Sequence, residues 1–139
     1  MRVKVKWVDN VNFVGTSESG HEVKIDGPIE VGGQEKGMRP MELMLIGMAG
    51  CTSFDVVTII KKSRKKIDGC EALISAERSE NIPKVFTKIH IHFVITGEDL
   101  DENSVERAIS LSAEKYCSAT IMLSRSVTIT HDFEIINKG

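Results

Sequence analysis

Hydrophobic and polar positions alternate from the first residues of the chain. Val3, Val5 and Trp7 interleave with Arg2, Lys4 and Lys6, the two-residue period of a half-buried strand. Phe13 and Val14 begin a second strand, Ser19-Gly20 marks a turn, and Val23 and Ile25 make a short third strand. Gly27 to Met38 holds three more glycines and a charged pair, so it reads as a loop that can cover or contact a site. From Pro40 the period changes. Pro40 suits the first turn of a helix and Glu42 its positive end. This helix runs to about Lys65, is apolar nearly all round in its first half, and stops at Asp68-Gly69. Gly47 and Gly50 weaken it by roughly 1 kcal/mol each against alanine, which predicts close approach of another backbone. Cys70 to Ser79 and Val85 to Thr96 alternate again on either side of Asn81-Ile82-Pro83, a hairpin. Asn103-x-x-Glu106 predicts the start of a second helix, with Val105, Ala108, Ile109, Ser112 and Tyr116 as its apolar stripe. Ile121-Met122-Leu123 extends it as a short helical piece. Val127, Ile129, His131, Phe133 and Ile135 alternate in a final strand.

A chain of 139 residues is one ordinary domain, 1–139, of the α+β class. Its formal charge of −2 offers no basic excess for nucleic acid or an anionic membrane. The longest apolar run, Leu43 to Cys51, is far short of a membrane span. The N-terminus has a strand pattern rather than that of a secretory signal. Three cysteines in such a chain fit a reducing compartment, so a cytoplasmic location is expected. The odd count argues against a disulfide framework, and no Cys-x-x-Cys zinc pattern occurs.

The chemistry lies with two of those cysteines. Cys51 ends the segment Pro40-Met41-Glu42-Leu43-Met44-Leu45-Ile46-Gly47-Met48-Ala49-Gly50-Cys51, and Cys117 follows Ser112-Ala113-Glu114-Lys115-Tyr116. Cys51 alone, in an apolar helix, reads as a small buried hydrophobe. The Pro-x-Glu-Leu…Ala-Gly-Cys pattern with a second cysteine far downstream, however, resembles the OsmC/Ohr family of thiol-dependent organic hydroperoxide reductases. The likeness covers nearly the whole chain and is closest to the branch with Pro-Met-Glu before the first cysteine. It implies an intertwined homodimer with a buried central helix, Glu42 to Lys65, and flanking antiparallel sheets. It also implies that Cys51 attacks the peroxide, that Cys117 resolves the sulfenic acid as a disulfide, and that a dithiol such as a lipoyl group, or a small thiol, reduces the enzyme again. Cys70 would stay free. Neither a cofactor nor a metal is expected.

Two departures from the family pattern bear on rate. The family orients an arginine from an early strand or loop with a glutamate directly after the proline. Here that position is Met41, and Arg2 is the only arginine before Met38. Arg39 is a displaced substitute, and Glu42 faces about 100° further round the helix. At ~1.5 Å per residue, Glu42 lies about 13 Å from its own Cys51, so Arg39 and Glu42 would serve the Cys51 of a second subunit. Asp55, one turn beyond Cys51, places a negative charge on the thiol's face. The family's frequent proline after the second cysteine is Ser118, which could cap the following short helix.

The remaining candidates have structural explanations. Cys70 stands at a strand start with no partner motif. His90 and His92 share a strand face that could bind a metal but reads more simply as a solvated surface. Met38, Met41, Met44 and Met48 either line an adaptable apolar pocket or fill the core. The expected function is therefore a weakly active organic hydroperoxide reductase, peroxiredoxin-like in chemistry, acting in the oxidative stress response. The alternative is a non-catalytic dimer that encloses an apolar ligand or senses redox state.

Overall fold

The computed structural model describes residues 1–138. They contain β1 (Val3–Asp9), β2 (Asn12–Ser17), β3 (Glu22–Ile25), α1 (Pro40–Lys62), β4 (Lys66–Arg78), β5 (Phe86–Glu98), α2 (Glu102–Leu111), α3 (Ser118–Ser124) and β6 (Thr128–Asn137). A 3-10 turn at Ile29–Val31 follows β3, and a π-helical turn at Ser112–Tyr116 separates α2 from α3. The α+β class is as expected. The chain groups into two compact units, Met1–Ile46 and the part from Gly47 onward, with α1 running through the boundary.

In the first unit β1, β2 and β3 form an antiparallel meander. The alternation at the N-terminus produced a strand, as expected, but not a half-buried one. Every residue of β1 is exposed, Trp7 at 62%. Among the described residues, nothing lies over the apolar side chains of this edge strand. The loop after β3 is organised by Asp26, which the sequence did not single out. Its buried carboxylate accepts N–H bonds from Gly27, Gln34 and Lys36 at 2.8–3.1 Å. These bonds, that from Gln34 foremost, hold the carboxyl below its ordinary range. The loop then returns so that Met38 exchanges backbone bonds with Lys24 and Asp26, both at 3.0 Å. A Cβ at Gly37 would lie 2.5 Å from the Lys24 carbonyl, so only glycine fits there.

The second unit holds a sheet of order β4-β5-β6. β4 and β5 are the predicted hairpin, but β6 joins parallel to β5, so this sheet is mixed rather than antiparallel. A parallel neighbour requires a crossover, and α2, the π turn and α3 supply it. The central strand buries Ile89, Ile91, Phe93 and Ile95 on one face. From the helices, Met48, Val56, Ile60, Val105, Ala108 and Ile109 join this core.

Three boundaries differ from the sequence reading. α1 ends at Lys62, and Arg64 takes a positive φ of 62° in the turn beyond it. Asp68-Gly69 therefore lies inside β4 rather than ending the helix. Lys65 and Lys66 leave the helix end and pair with Asp101 at 3.3 Å and Glu98 at 3.1 Å. The second helix is capped by Asp101, not Asn103. The Asp101 carboxylate accepts from Ser104 N–H at 3.0 Å, and Ser104 foremost pulls its pKa down to about 2.

α1 is also less covered than expected. Only Met48, Thr52, Val56 and Ile60 are buried, a spacing of four that marks one face. On the opposite face Gly47 and Gly50 have nothing within 4 Å of a Cβ, and Phe54 is 72% exposed. The predicted close approach of a backbone at these glycines does not occur among the described residues. By length and composition alone, α1 is long and apolar enough to cross a membrane, with a window of mean hydropathy 1.9. The nine-residue run counted in the sequence understated it. Met48, Val56 and Ile60 lie in the core of the second unit, while 22% of that window is buried.

Candidate functional site

Cys51 and Cys117 meet. Cys51 sits half-buried on α1, and Cys117 is fully buried between the π turn and α3. Cys51 is close enough to act on the ionisation of Cys117, and both thiols are free.

The π turn makes this possible. The apolar stripe of α2, continued at α-helical spacing, would bury Tyr116 next. Instead Cys117 N–H reaches back five residues to the Ser112 carbonyl at 2.8 Å. One extra residue in the turn rotates the chain beyond it, so Tyr116 is half exposed and Cys117 takes the inward position. Cys117 itself, rather than Ser118, then caps α3. Its Sγ accepts from Thr120 N–H at 3.3 Å and from the Thr120 hydroxyl at 3.0 Å. Burial pushes the Cys117 thiol up, and the neighbouring Cys51 adds to this. The Thr120 bonds pull the other way without reversing it.

A buried hydroxyl pair fastens the two cysteine-bearing segments. Ser112 Oγ lies 2.9 Å from Asp55 Oδ2 and 2.8 Å from Thr52 Oγ1. The serine hydroxyl has one proton, and the carboxylate can only accept. Thr52 therefore donates to Ser112, which donates to Asp55. Asp55 is thus engaged by Ser112 rather than standing alone beside Cys51. Ser112 appeared in the sequence as a hydroxyl on an otherwise apolar stripe, which was the available signal for a buried partner. Thr120 was signalled only by the spacing Cys-x-x-Thr.

Cys70, on β4, is half-buried. Burial raises its thiol pKa, and a hydrogen bond with Ser53 lowers it in part. A cleft of about 550 Å³ opens beside Asp55, walled by Phe54, Ile59, Arg107, Leu111 and Tyr116. Of the methionines, Met48 is a core residue and Met44 is exposed.

Arg39 and Glu42 are brought together at the start of α1. Arg39 N–H donates to Glu42 Oε1 at 2.8 Å, the return half of a capping box, while its guanidinium donates to Glu35 at 2.8 Å. Both candidates therefore have local partners. His90 and His92 lie on the outer sheet face as a ladder with β6. His90 bonds Thr130 at 2.6 Å and Asp132 at 2.9 Å, and His92 bonds Asp132 at 2.7 Å and Glu134 at 3.2 Å. Among the described residues no group of three or more His, Cys, Asp or Glu is placed to hold a metal.

A family model described as OsmC-like protein matches residues 33–132. The chain is 43% identical over 136 residues to Protein YhfA of Escherichia coli (strain K12), covering 98% of each. A crystal structure of a hypothetical protein from Aquifex aeolicus VF5 superposes with a TM-score of 0.87 at 28% identity, over 99% of this chain and 97% of that one. The organic hydroperoxide resistance protein OhrB of Bacillus subtilis superposes with a TM-score of 0.65 at 20% identity, over 96% of each, and so shares the fold.

Proposed function

This chain belongs to the OsmC-like family, and from that membership we propose that it is a thiol-dependent redox protein which reduces organic hydroperoxides slowly, with Cys51 peroxidatic and Cys117 resolving. The observation that carries the reading is the meeting of a half-buried Cys51 with a buried Cys117. In the first step the Cys51 thiolate attacks the terminal peroxide oxygen. An S–O bond forms, the O–O bond breaks, and the leaving alkoxide takes a proton to become the alcohol. In the second step the Cys117 thiolate attacks the sulfenic sulfur. An S–S bond forms, and hydroxide leaves and is protonated to water. A dithiol of the lipoyl type then exchanges with the disulfide and carries away the two electron equivalents.

Low rate is part of the proposal. Glu42 closes the start of its own helix and Arg39 is held by Glu35, while Met41 brings no carboxylate. The apolar setting favours an organic hydroperoxide over hydrogen peroxide. We also propose a homodimer. Exposed Val3, Val5 and Trp7 on β1, and Gly47, Gly50 and Phe54 on one face of α1, are apolar or open surfaces that a second copy would cover. The same surfaces support the second reading, a dimer that encloses an apolar ligand with weakly reactive thiols. A cytoplasmic setting is proposed with either.

Stopped-flow oxidation by cumene hydroperoxide beside hydrogen peroxide, followed by peptide mapping, separates the two readings. The first expects faster reaction with the organic peroxide and a Cys51–Cys117 disulfide, with Cys70 free. A Cys70 disulfide, or no disulfide, rejects it.

A further inference from the structure

We propose that Thr120 is the positioning residue for the resolving step, its hydroxyl and backbone N–H readying the buried Cys117 sulfur to act as a thiolate in place. The inference rests on the assignment of Cys117 as the resolving thiol.

The geometry is specific. Cys117 is completely buried, so water cannot solvate a negative sulfur there. Two donors converge on that sulfur, both from Thr120, at 3.0 and 3.3 Å. The Thr120 side chain is itself buried, and its hydroxyl has no other partner among the hydrogen bonds of the described residues. With two donors on its lone-pair side, the Cys117 S–H is left to point towards Cys51, the other thiol within reach. A proton given up in that direction is the one the leaving hydroxide needs. The thiolate left behind already has its hydrogen bonds.

The surroundings offer little alternative help. α3 contains no charged residue between Ser118 and Ser124. Glu114 and Lys115 of the π turn are exposed. From α1 the facing groups are Cys51 and, one turn on, Asp55, which is bonded to Ser112. Among the described residues no cation acts on the Cys117 sulfur. This is the arrangement in which one hydroxyl has a measurable effect.

The removal of that hydroxyl should raise the Cys117 pKa further, because a hydrogen bond to the charged sulfur is lost. Each unit costs a tenfold loss of thiolate, partly offset by the greater nucleophilicity of the more basic sulfur. The net slowing of disulfide closure is then about three- to tenfold.

The test uses Thr120→Val, which removes the donor at nearly constant shape, and Thr120→Ser, which keeps it. After one equivalent of cumene hydroperoxide, the Cys51 sulfenic acid should persist about three- to tenfold longer in Thr120→Val, as read by dimedone trapping and mass spectrometry. The first, peroxide-consuming step should keep its rate, and Thr120→Ser should restore closure. A second measurement needs no peroxide. In a Cys51→Ser/Cys70→Ser background, the Cβ resonance of Cys117 is followed by NMR against pH. An upward shift of its titration in Thr120→Val, absent in Thr120→Ser, supports the inference. An unmoved titration overturns it, whatever the peroxidase assay shows. Failure of the wild type to form a Cys51–Cys117 disulfide would reject the functional reading and leave the titration to decide what Thr120 does to the sulfur.

Discussion

Replacing Ser112 with alanine removes half of the hydroxyl pair that joins α1 to the segment bearing Cys117. The Ser112 side chain is fully buried, and its oxygen sits 2.8 Å from Thr52 Oγ1 and 2.9 Å from Asp55 Oδ2. The substitution leaves Thr52, which is 3% exposed, without its acceptor. Asp55 loses a charge-assisted bond but is near enough to the surface to regain water. A bond to a charged group contributes about 1.5–3 kcal/mol, and a stranded buried hydroxyl costs about 1–3 kcal/mol. Thr52 can recover part of this by turning to a carbonyl one helical turn back. The expected loss is therefore about 2–3 kcal/mol. For a chain of this length that is a fall in Tm of about 6–12 °C. Urea unfolding at fixed protein concentration measures it, since association would shift the midpoint. Thr52→Val combined with Ser112→Ala should cost about 1 kcal/mol less than the sum of the two single changes, because the double variant strands no hydroxyl. A Ser112→Ala protein within about 0.5 kcal/mol of wild type, or strict additivity in the cycle, would show that this buried bridge is not holding the segments.

Peroxide reduction by wild-type protein should be slow, and Met41→Glu alone should not accelerate it, because the early-strand arginine is missing too; stopped-flow rates with cumene hydroperoxide near the diffusion limit would refute this. Sedimentation at micromolar concentration should give a dimer, and a stable monomer would remove the proposed covering of β1 and α1. The His92 pKa is raised, chiefly by Asp132 and then Glu134, while that of Asp132 is lowered by His92 and His90. The histidine's contribution to stability is thus full below its ordinary value of 6.5 and lost as pH rises through the higher folded value. That of Asp132 is lost as pH falls through a value below 3.8. His92→Gln should therefore destabilise more at about pH 5.5 than at about pH 9 in urea titrations, and an equal effect at both would contradict the ladder.

Much of this was visible in the pattern of side chains. Alternation located β1, the β4–β5 hairpin and β6, because a strand points successive side chains to opposite faces whatever the sheet around it. It could not say that β6 runs parallel to β5, since direction is set by the crossover and leaves no mark on the strand itself. The N-cap moved from Asn103 to Asp101 because both can cap and only the path of the backbone chooses. Asp26 was invisible for another reason. Its partners are backbone N–H groups of Gly27, Gln34 and Lys36, which every sequence supplies. The cysteine pair was found through resemblance to a family, not through periodicity. The periodicity of α2 in fact pointed at Tyr116 and past Cys117.

The π turn carries a consequence for how such a pair can be gained or lost. The extra residue is what lets a cysteine five places after Ser112 stand where the fourth place of an ordinary helix would point. One residue removed between Ser112 and Tyr116 would restore ordinary helical phase and make the present Cys117 the fourth, so its thiol would stay on the side that faces α1. Closing the turn as an ordinary helix at unchanged length would instead bring Tyr116 inward and rotate Cys117 by about 100°, off that side. Two relatives with identical cysteines and equal length can therefore differ in whether they hold a dithiol at all, and the hydrogen bonding of this one turn is what distinguishes them.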